Sequence, residues 1–280
     1  MKPKVSDTTK KTPLESEAND TLRGAVRDRY GEIARSGGGC CTPASSCCGS
    51  AQAVPLAVDS TRLGYGASDL TAVPEGADLG LGCGNPQAIA DLRPGEVVVD
   101  LGAGAGFDCF LASRKVGGAG RVIGVDMTPD MVSRARANAR EDGYTNVDFR
   151  LGEIEHLPVA DGSVDCILSN CVINLSPDKL QVFRDAYRVL KPGGRLAISD
   201  TVATAPLPEP VRQDLNLATG CIAGAASVAE IEAWLAAAGF ANIAIRPSEA
   251  SRAVIRDWLP GHDLGRYVAS ATIEAIKPAA

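Results

Sequence analysis

An α/β fold built on a parallel sheet is predicted by three features of this 280-residue chain. From Gly95 onward, short apolar runs alternate with stretches of helical periodicity. A glycine-rich turn, GAGAG, lies between the first apolar run and the helix after it. Hydrophobic residues at 45 % and charged residues at 22 % give a core-forming globular balance, which excludes collagen-like, disordered and disulfide-scaffold chains. With aromatics at 4 %, that core is built mainly from Ala, Val, Leu and Ile.

The elements follow in chain order. Residues 1 to about 20 are polar without a periodic apolar face and are expected to be a disordered tail. A helix is expected over residues 20–34, opened by Asp20 and carrying Leu22, Val26, Tyr30 and Ile33 at helical spacing. Residues 36–50, SGGGCCTPASSCCGS, form a loop holding two adjacent thiol pairs. Parallel strands are expected at 96–101, 121–126, 147–151, 164–169 and 195–200, with helices at 108–116, 129–142 and 178–190 between them. The turn Lys191, Pro192, Gly193, Gly194 stops the last of these helices. A Pro-rich stretch, APLPEP, then leads to a helix from Glu209 and to a second one capped by Ser227 and Glu230 and ended by Gly239. Two further strands are expected at 242–246 and 267–276.

The formal net charge of -6 gives no counterion-release advantage on phosphate, so no nucleic-acid partner is expected. No run approaches the roughly 20 apolar residues of a membrane span. The Lys-rich start leads into no hydrophobic signal core, so no membrane association and a cytoplasmic location are expected. Nine cysteines in a reducing compartment are metal ligands, redox groups or small core residues more readily than lasting disulfides.

Gly102, Gly104 and Gly106 follow a strand and precede a helix, where bare backbone can approach a nucleotide-like ligand. The spacing differs from the dinucleotide fingerprint, and Asp100 just ahead of the glycines would repel a pyrophosphate. Asp126, ending the second strand, is placed to accept from both ribose hydroxyls. An adenosine bearing positive charge is implied. Through DLGAGAG, GVDMT and RVLKPGG the chain resembles the S-adenosylmethionine-dependent methyltransferases with a Rossmann-like class I sheet. That resemblance implies Asp100 and Gly102 at the methionine end of the donor, Asp126 and Met127 at its ribose and adenine, Glu153 and Ile154 beside the adenine, and Asn170 on the opposite side.

The acceptor is read from what is missing and from sulfur. The Pro-Pro-aromatic run of base-methylating enzymes is replaced by SNCVINL, and His156 and His262 are expected at the surface, away from any general-base role. Cys171 lies just beyond the fourth strand, where α/β sheets bind ligands; Cys221 and Cys83 sit among small residues in TGCIAGA and GLGCGNP. These three suggest a soft thiophilic centre, with packing as small hydrophobes the alternative and zinc disfavoured by their wide spacing. Cys109 and Cys166, on a helix and within a strand, are read as core residues.

LGLGCGNP, SNCVINLSPDK, GCIAGA and YVASATIEAIKP, over residues 60–278, resemble one family in particular, the arsenite S-adenosylmethionine methyltransferases. The resemblance implies that Cys83, Cys171 and Cys221 hold arsenic(III) as thiolates and that an N-terminal cysteine takes part in substrate capture or disulfide exchange. The cluster Cys40, Cys41, Cys47, Cys48 departs from a single such cysteine and leaves four candidates for the role. Trivalent arsenic keeps a lone pair and needs no base to attack a methyl group held at roughly 3–3.5 Å. Asp100 would favour the sulfonium donor over its neutral product. Methylation oxidises arsenic formally, so Cys47 and Cys48 are expected to relay arsenic or electrons to Cys83, with a thiol reductant, glutathione or thioredoxin, reopening the disulfide; a metal-binding tail without catalytic part is the alternative.

The expected organisation is an N-terminal tail, helix and Cys-rich extension over 1–56, a donor-binding Rossmann-like domain over 57–200, and a C-terminal α+β portion over 201–280 contributing Cys221. Its expected function is methylation of arsenite and methylated arsenicals for detoxification. A carbon methyltransferase whose cysteines merely pack, and a metalloid sensor without catalysis, are the rival readings.

Overall fold

The computed structural model describes residues 13–36, 58–209, 211, 221–256 and 263–279. Strands β1 (Val97–Leu101), β2 (Arg121–Asp126), β3 (Val147–Leu151), β4 (Val164–Asn170) and β5 (Leu190–Ala203) pair in parallel. β7 (Val268–Ile276) runs antiparallel to β5, and β6 (Ala241–Pro247) antiparallel to β7. The seven strands form one sheet in the order β3-β2-β1-β4-β5-β7-β6. Successive strands are added outward from β1 to one side as far as β3 and then to the other side from β4, and this switch in strand order opens a crevice at the carboxyl ends of β1 and β4.

Among the described residues the helices are α1 (Pro13–Ser36), α2 (Ala67–Thr71), α3 (Phe107–Val116), α4 (Pro129–Glu141), α5 (Lys179–Val189), α6 (Val228–Ala238) and α7 (Ser251–Arg256). Two core clusters flank the sheet. One joins β-strand residues such as Val99, Leu101 and Ile198 to Phe183 of α5 and Leu235 of α6; the other joins Val98, Val122 and Leu168 to Phe110 of α3 and Val132 of α4. β1 is buried at Val98, Val99, Asp100 and Leu101, as a strand covered on both faces must be.

Several boundaries differ from expectation. α1 starts at Pro13, so its first two turns occupy part of the expected disordered tail. Proline suits a helix's first turn, and the segment is polar because Glu17, Ala18 and Asp20 face solvent, which removes the apolar period. The 191–194 turn does not precede β5 but is a bulge inside it, since Leu190 pairs with Val164 and Arg195 next pairs with Cys166. Gly193 takes φ 81° there, and β7 clamps the bulge through Gly193 N–H to Lys277 C=O at 2.8 Å. α6 carries the expected Ser227/Glu230 capping box and ends on Gly239 at φ 103°. Most of the expected helix from Glu209, together with Cys40, Cys41, Cys47, Cys48 and His262, lies outside the described residues.

Candidate active site

A cleft of about 1080 Å³, measured with its open mouth, lies at the crevice beyond β1, β2 and β4. Gly102 and Gly104 line it at φ 66° and 52°, in the left-handed region that glycine enters without cost. A Cβ on Gly104 would meet nothing within 4 Å, so this backbone is open to a ligand. Gly106 does a different job: it is the α3 N-cap at φ 99°, and a Cβ there would fall 2.7 Å from both Phe110 and Phe149. It is a helix–sheet packing residue and does not line the cleft.

Asp126 ends β2 with Oδ2 accepting from Gly104 N–H at 2.9 Å and Oδ1 from Thr128 N–H at 2.8 Å. Both oxygens are thereby oriented, with lone pairs left over. Met127, Ile154 and Asn170 also line the cleft; Glu153 does not, and instead pairs with Arg23 of α1 at 3.6 Å. Its neighbour Glu155 is the cleft residue, buried and bonded to Ser176 Oγ at 2.6 Å and to Arg23 at 3.4 Å. Arg23 thus ties α1 across the cleft, and at the far end Arg35 meets Asp130 while Arg134 donates to Ala34 C=O at 2.9 Å.

Sequence reasoning missed the acidic wall's full extent. Tyr65 Oη donates to Asp108 at 2.9 Å, and Asn170 Nδ2 reaches Tyr65 Oη at 3.0 Å and Asp108 at 3.2 Å. Asn170 Oδ1 meanwhile accepts from Cys83 N–H at 3.0 Å, linking this wall to the thiols. Burial, then repulsion from Asp108, pushes Asp100 well above the usual carboxylate range; burial also raises Asp108 and Asp126. A cationic ligand would relieve all three. Asp108 went unnoticed because a helix-opening acid is ordinary, and only the fold turns it toward Asp100.

Cys83, Cys171 and Cys221 come together in one buried cluster with Val26 of α1 and Leu175, at 3 %, 7 % and 2 % exposure respectively for the three cysteines. Cys171 is the middle member. Cys221 Sγ donates to its carbonyl at 2.8 Å, and Cys83 Sγ donates to Ser199 C=O at 3.6 Å. Among the described residues, one set of three ligand atoms lies within 4.8 Å of one another: the sulfurs of Cys83 and Cys171 and a carboxylate oxygen of Asp200. Burial pushes the Cys83 thiol up to about 11. Cys221 is raised by the neighbouring Cys171 and then by burial; for Cys171 the lowering effect of Cys221 is outweighed by the neighbouring Cys83 and by burial. Cys171 and Cys221 both have left-handed backbones, φ 59° and 64°, a strain of roughly 1–2 kcal/mol each that the surroundings must hold. Cys109 and Cys166 are fully buried in the core away from this cluster, and His156 is exposed.

A buried acidic wall facing an open glycine backbone at the switch point of this sheet suits a positively charged adenosine, and the chain is an S-adenosylmethionine-dependent methyltransferase. Residues 92–239 match the family model described as a methyltransferase domain. The arsenite methyltransferase of Halobacterium salinarum is 54 % identical over 267 residues, covering 93 % of this chain and 68 % of that protein. The chain belongs to the arsenite methyltransferase family. The human arsenite methyltransferase is 44 % identical over 46 % of this chain and 36 % of its own length. The crystal structure of an arsenic(III) S-adenosylmethionine methyltransferase from Chlamydomonas reinhardtii superimposes with TM-score 0.57 and 35 % identity, over 68 % of this chain and 65 % of that one. Among the described residues no helix is long and apolar enough to cross a membrane.

Proposed function

We propose that this enzyme methylates trivalent arsenic bound to Cys83, Cys171 and Cys221. The observation that carries the reading is the convergence of three thiols, distant in sequence, in one buried cluster next to the donor cleft that Cys171 itself lines. Soft thiolates suit arsenic(III), and the cluster's apolar neighbours Val26, Leu175 and Val172 exclude water from it.

The donor supplies an electrophilic methyl on a sulfonium sulfur. Asp126 would hold its ribose hydroxyls, and Asp100 and Asp108 would stabilise its positive end, losing that attraction once the product is neutral. Cys83 and Cys171 already stand within 4.8 Å of each other, and Cys221 would join them by turning its sulfur away from the Cys171 carbonyl. Each thiol proton leaves with an arsenite hydroxide as water. The arsenic lone pair then attacks without a base, so the protein's part is alignment and exclusion of water.

Methyl transfer raises arsenic formally by two electrons. Two thiolates leaving as a disulfide return it to the trivalent state, water fills the vacated position with loss of a proton, and a thiol reductant, glutathione or thioredoxin, reopens the disulfide. Cys47 and Cys48 are candidates for this exchange with Cys83, and such cycling fits a reducing cytoplasm. Incubation with arsenite, S-adenosylmethionine and thiol should yield methylated arsenicals by mass spectrometry, and Cys171→Ser should abolish them. Unchanged arsenite turnover in Cys171→Ser would remove Cys171 from the arsenic site, and a wild type that yields no methylated arsenical would instead favour a carbon acceptor. A variant lacking all four N-terminal cysteines that turned over free arsenite normally would remove the relay from this account.

A further inference from the structure

We propose that Asn174, Asp200 and Thr201 form a positioning network that holds Cys171 and Cys221 as a matched pair of arsenic ligands; this rests on the reading of those thiols given above. The two cysteines belong to different segments, and both occupy left-handed backbone conformations that neither would adopt unaided. Something must bind the segments together, and the contacts between them are polar, buried and continuous.

Asn174 is the hub. Its Nδ2 donates to Asp200 Oδ1 at 2.9 Å, to Thr201 C=O at 2.6 Å and to Thr201 Oγ1 at 2.9 Å. Thr201 Oγ1 in turn donates to the carbonyl of Cys221 at 2.8 Å, a backbone link that does not depend on the thiol proton; in the free site Cys221 Sγ also donates to the carbonyl of Cys171 at 2.8 Å, a bond given up when the sulfur takes arsenic. Asp200 Oδ2 accepts from Ile173 N–H at 2.9 Å, which fixes the turn directly after Cys171. Asn174, Asp200 and Thr201 are 5 %, 2 % and 0 % exposed, so water does not substitute for these partners. From the other side Gly224 presses on the hub: a Cβ there would lie 2.2 Å from Asn174 C=O.

The same contacts decide what Asp200 does. One of its oxygens lies close to the sulfurs of Cys83 and Cys171, which invites a role as a ligand. Its oxygens already accept from Ile173 N–H, Asn174 Nδ2 and Thr201 N–H, three of roughly four acceptor positions on a carboxylate. It is a brace for the thiol-bearing turn.

Thr201→Val deletes the hydroxyl link at nearly constant volume, and Thr201→Ser restores it. With arsenite bound to the full chain, X-ray absorption at the arsenic edge should count three sulfur neighbours in the wild type and in Thr201→Ser. Thr201→Val should show two sulfurs and one oxygen, with KM for arsenite raised about tenfold and KM for S-adenosylmethionine within about twofold of wild type. Three sulfurs and an unaltered arsenite KM in Thr201→Val would overturn the network's role while leaving the thiol site intact. Equal rises in both KM values would also overturn it, as the sign of a general packing defect. A wild type with fewer than three sulfurs would overturn the site and the network together. Binding of S-adenosylhomocysteine reports folding; if Thr201→Val does not fold, Asn174→Ala cuts the same links from the hub and is read by the same counts.

Discussion

Gly102→Ala tests whether the donor loop and the thiol turn are one mechanical unit. Gly102 sits at φ 66°, where an alanine costs roughly 1–2 kcal/mol. Its new Cβ would lie 2.4 Å from Val172 Cγ2 and 2.7 Å from Val172 Cβ. Neither is the far end of a flexible chain, and a β-branched residue has little rotamer freedom with which to retreat. Val172 follows Cys171 directly, so the backbone that yields is the one presenting the central thiol. Overpacking of this kind adds roughly 1–3 kcal/mol, for a total of roughly 2–5 kcal/mol against the 5–15 kcal/mol that holds a typical domain together. The melting midpoint followed by circular dichroism should fall by on the order of 10 °C. Calorimetry should show weakened binding of S-adenosylhomocysteine and of arsenite alike. Val172→Ala in the same chain removes the clash but not the φ strain, so the double variant should regain about half of the lost stability and show a coupling of roughly 1–3 kcal/mol. Strict additivity of the two substitutions, or a Gly102→Ala protein with the wild-type midpoint, would refute the reasoning.

Asp126→Asn keeps the shape of the β2 terminus but loses a charged acceptor; at roughly 1.5–3 kcal/mol for a hydrogen bond to a charged group, affinity for the donor should drop about 10- to 100-fold by calorimetry, with arsenite binding unchanged. The pH dependence of arsenite binding follows from the thiols. Burial holds Cys83 up to about 11, Cys221 is raised by Cys171 and by burial, and in Cys171 the lowering effect of Cys221 is outweighed by Cys83 and by burial, so the free site enters neutral solution protonated. Three thiol protons leaving with three hydroxides make three waters and no net proton exchange. Affinity should therefore be flat from roughly pH 6 to 8, and its heat independent of buffer, whereas preformed thiolates would consume protons and weaken binding as pH rises. A steep loss of affinity with rising pH would contradict the protonated site.

Much of this protein was legible in its sequence because the signals are local. Apolar runs located β1, β2 and β4 and helical spacing the helices between them, since a strand covered on both faces is largely apolar, while the edge strand β3 was legible from the alternation in VDFRL. The GAGAG turn and Asp126 declared a charged adenosine because backbone access and a strand-end carboxylate are set within a few residues of each other. Sequence alone also singled out Cys171 by its place just beyond the fourth strand, and Cys83 and Cys221 by the small residues around them. Tertiary structure decided what depends on distance through space. It extended the expected first helix back to Pro13 and tied its body across the cleft through Arg23 and Arg35, ion pairs to distant segments that no apolar period could announce. It joined β6 and β7 to the same sheet. It brought Tyr65, Asp108 and Asn170 together beside Asp100, and Asn174, Asp200 and Thr201 behind the thiols, because hydrogen bonds between residues far apart in the chain leave no periodic trace in the sequence of either partner.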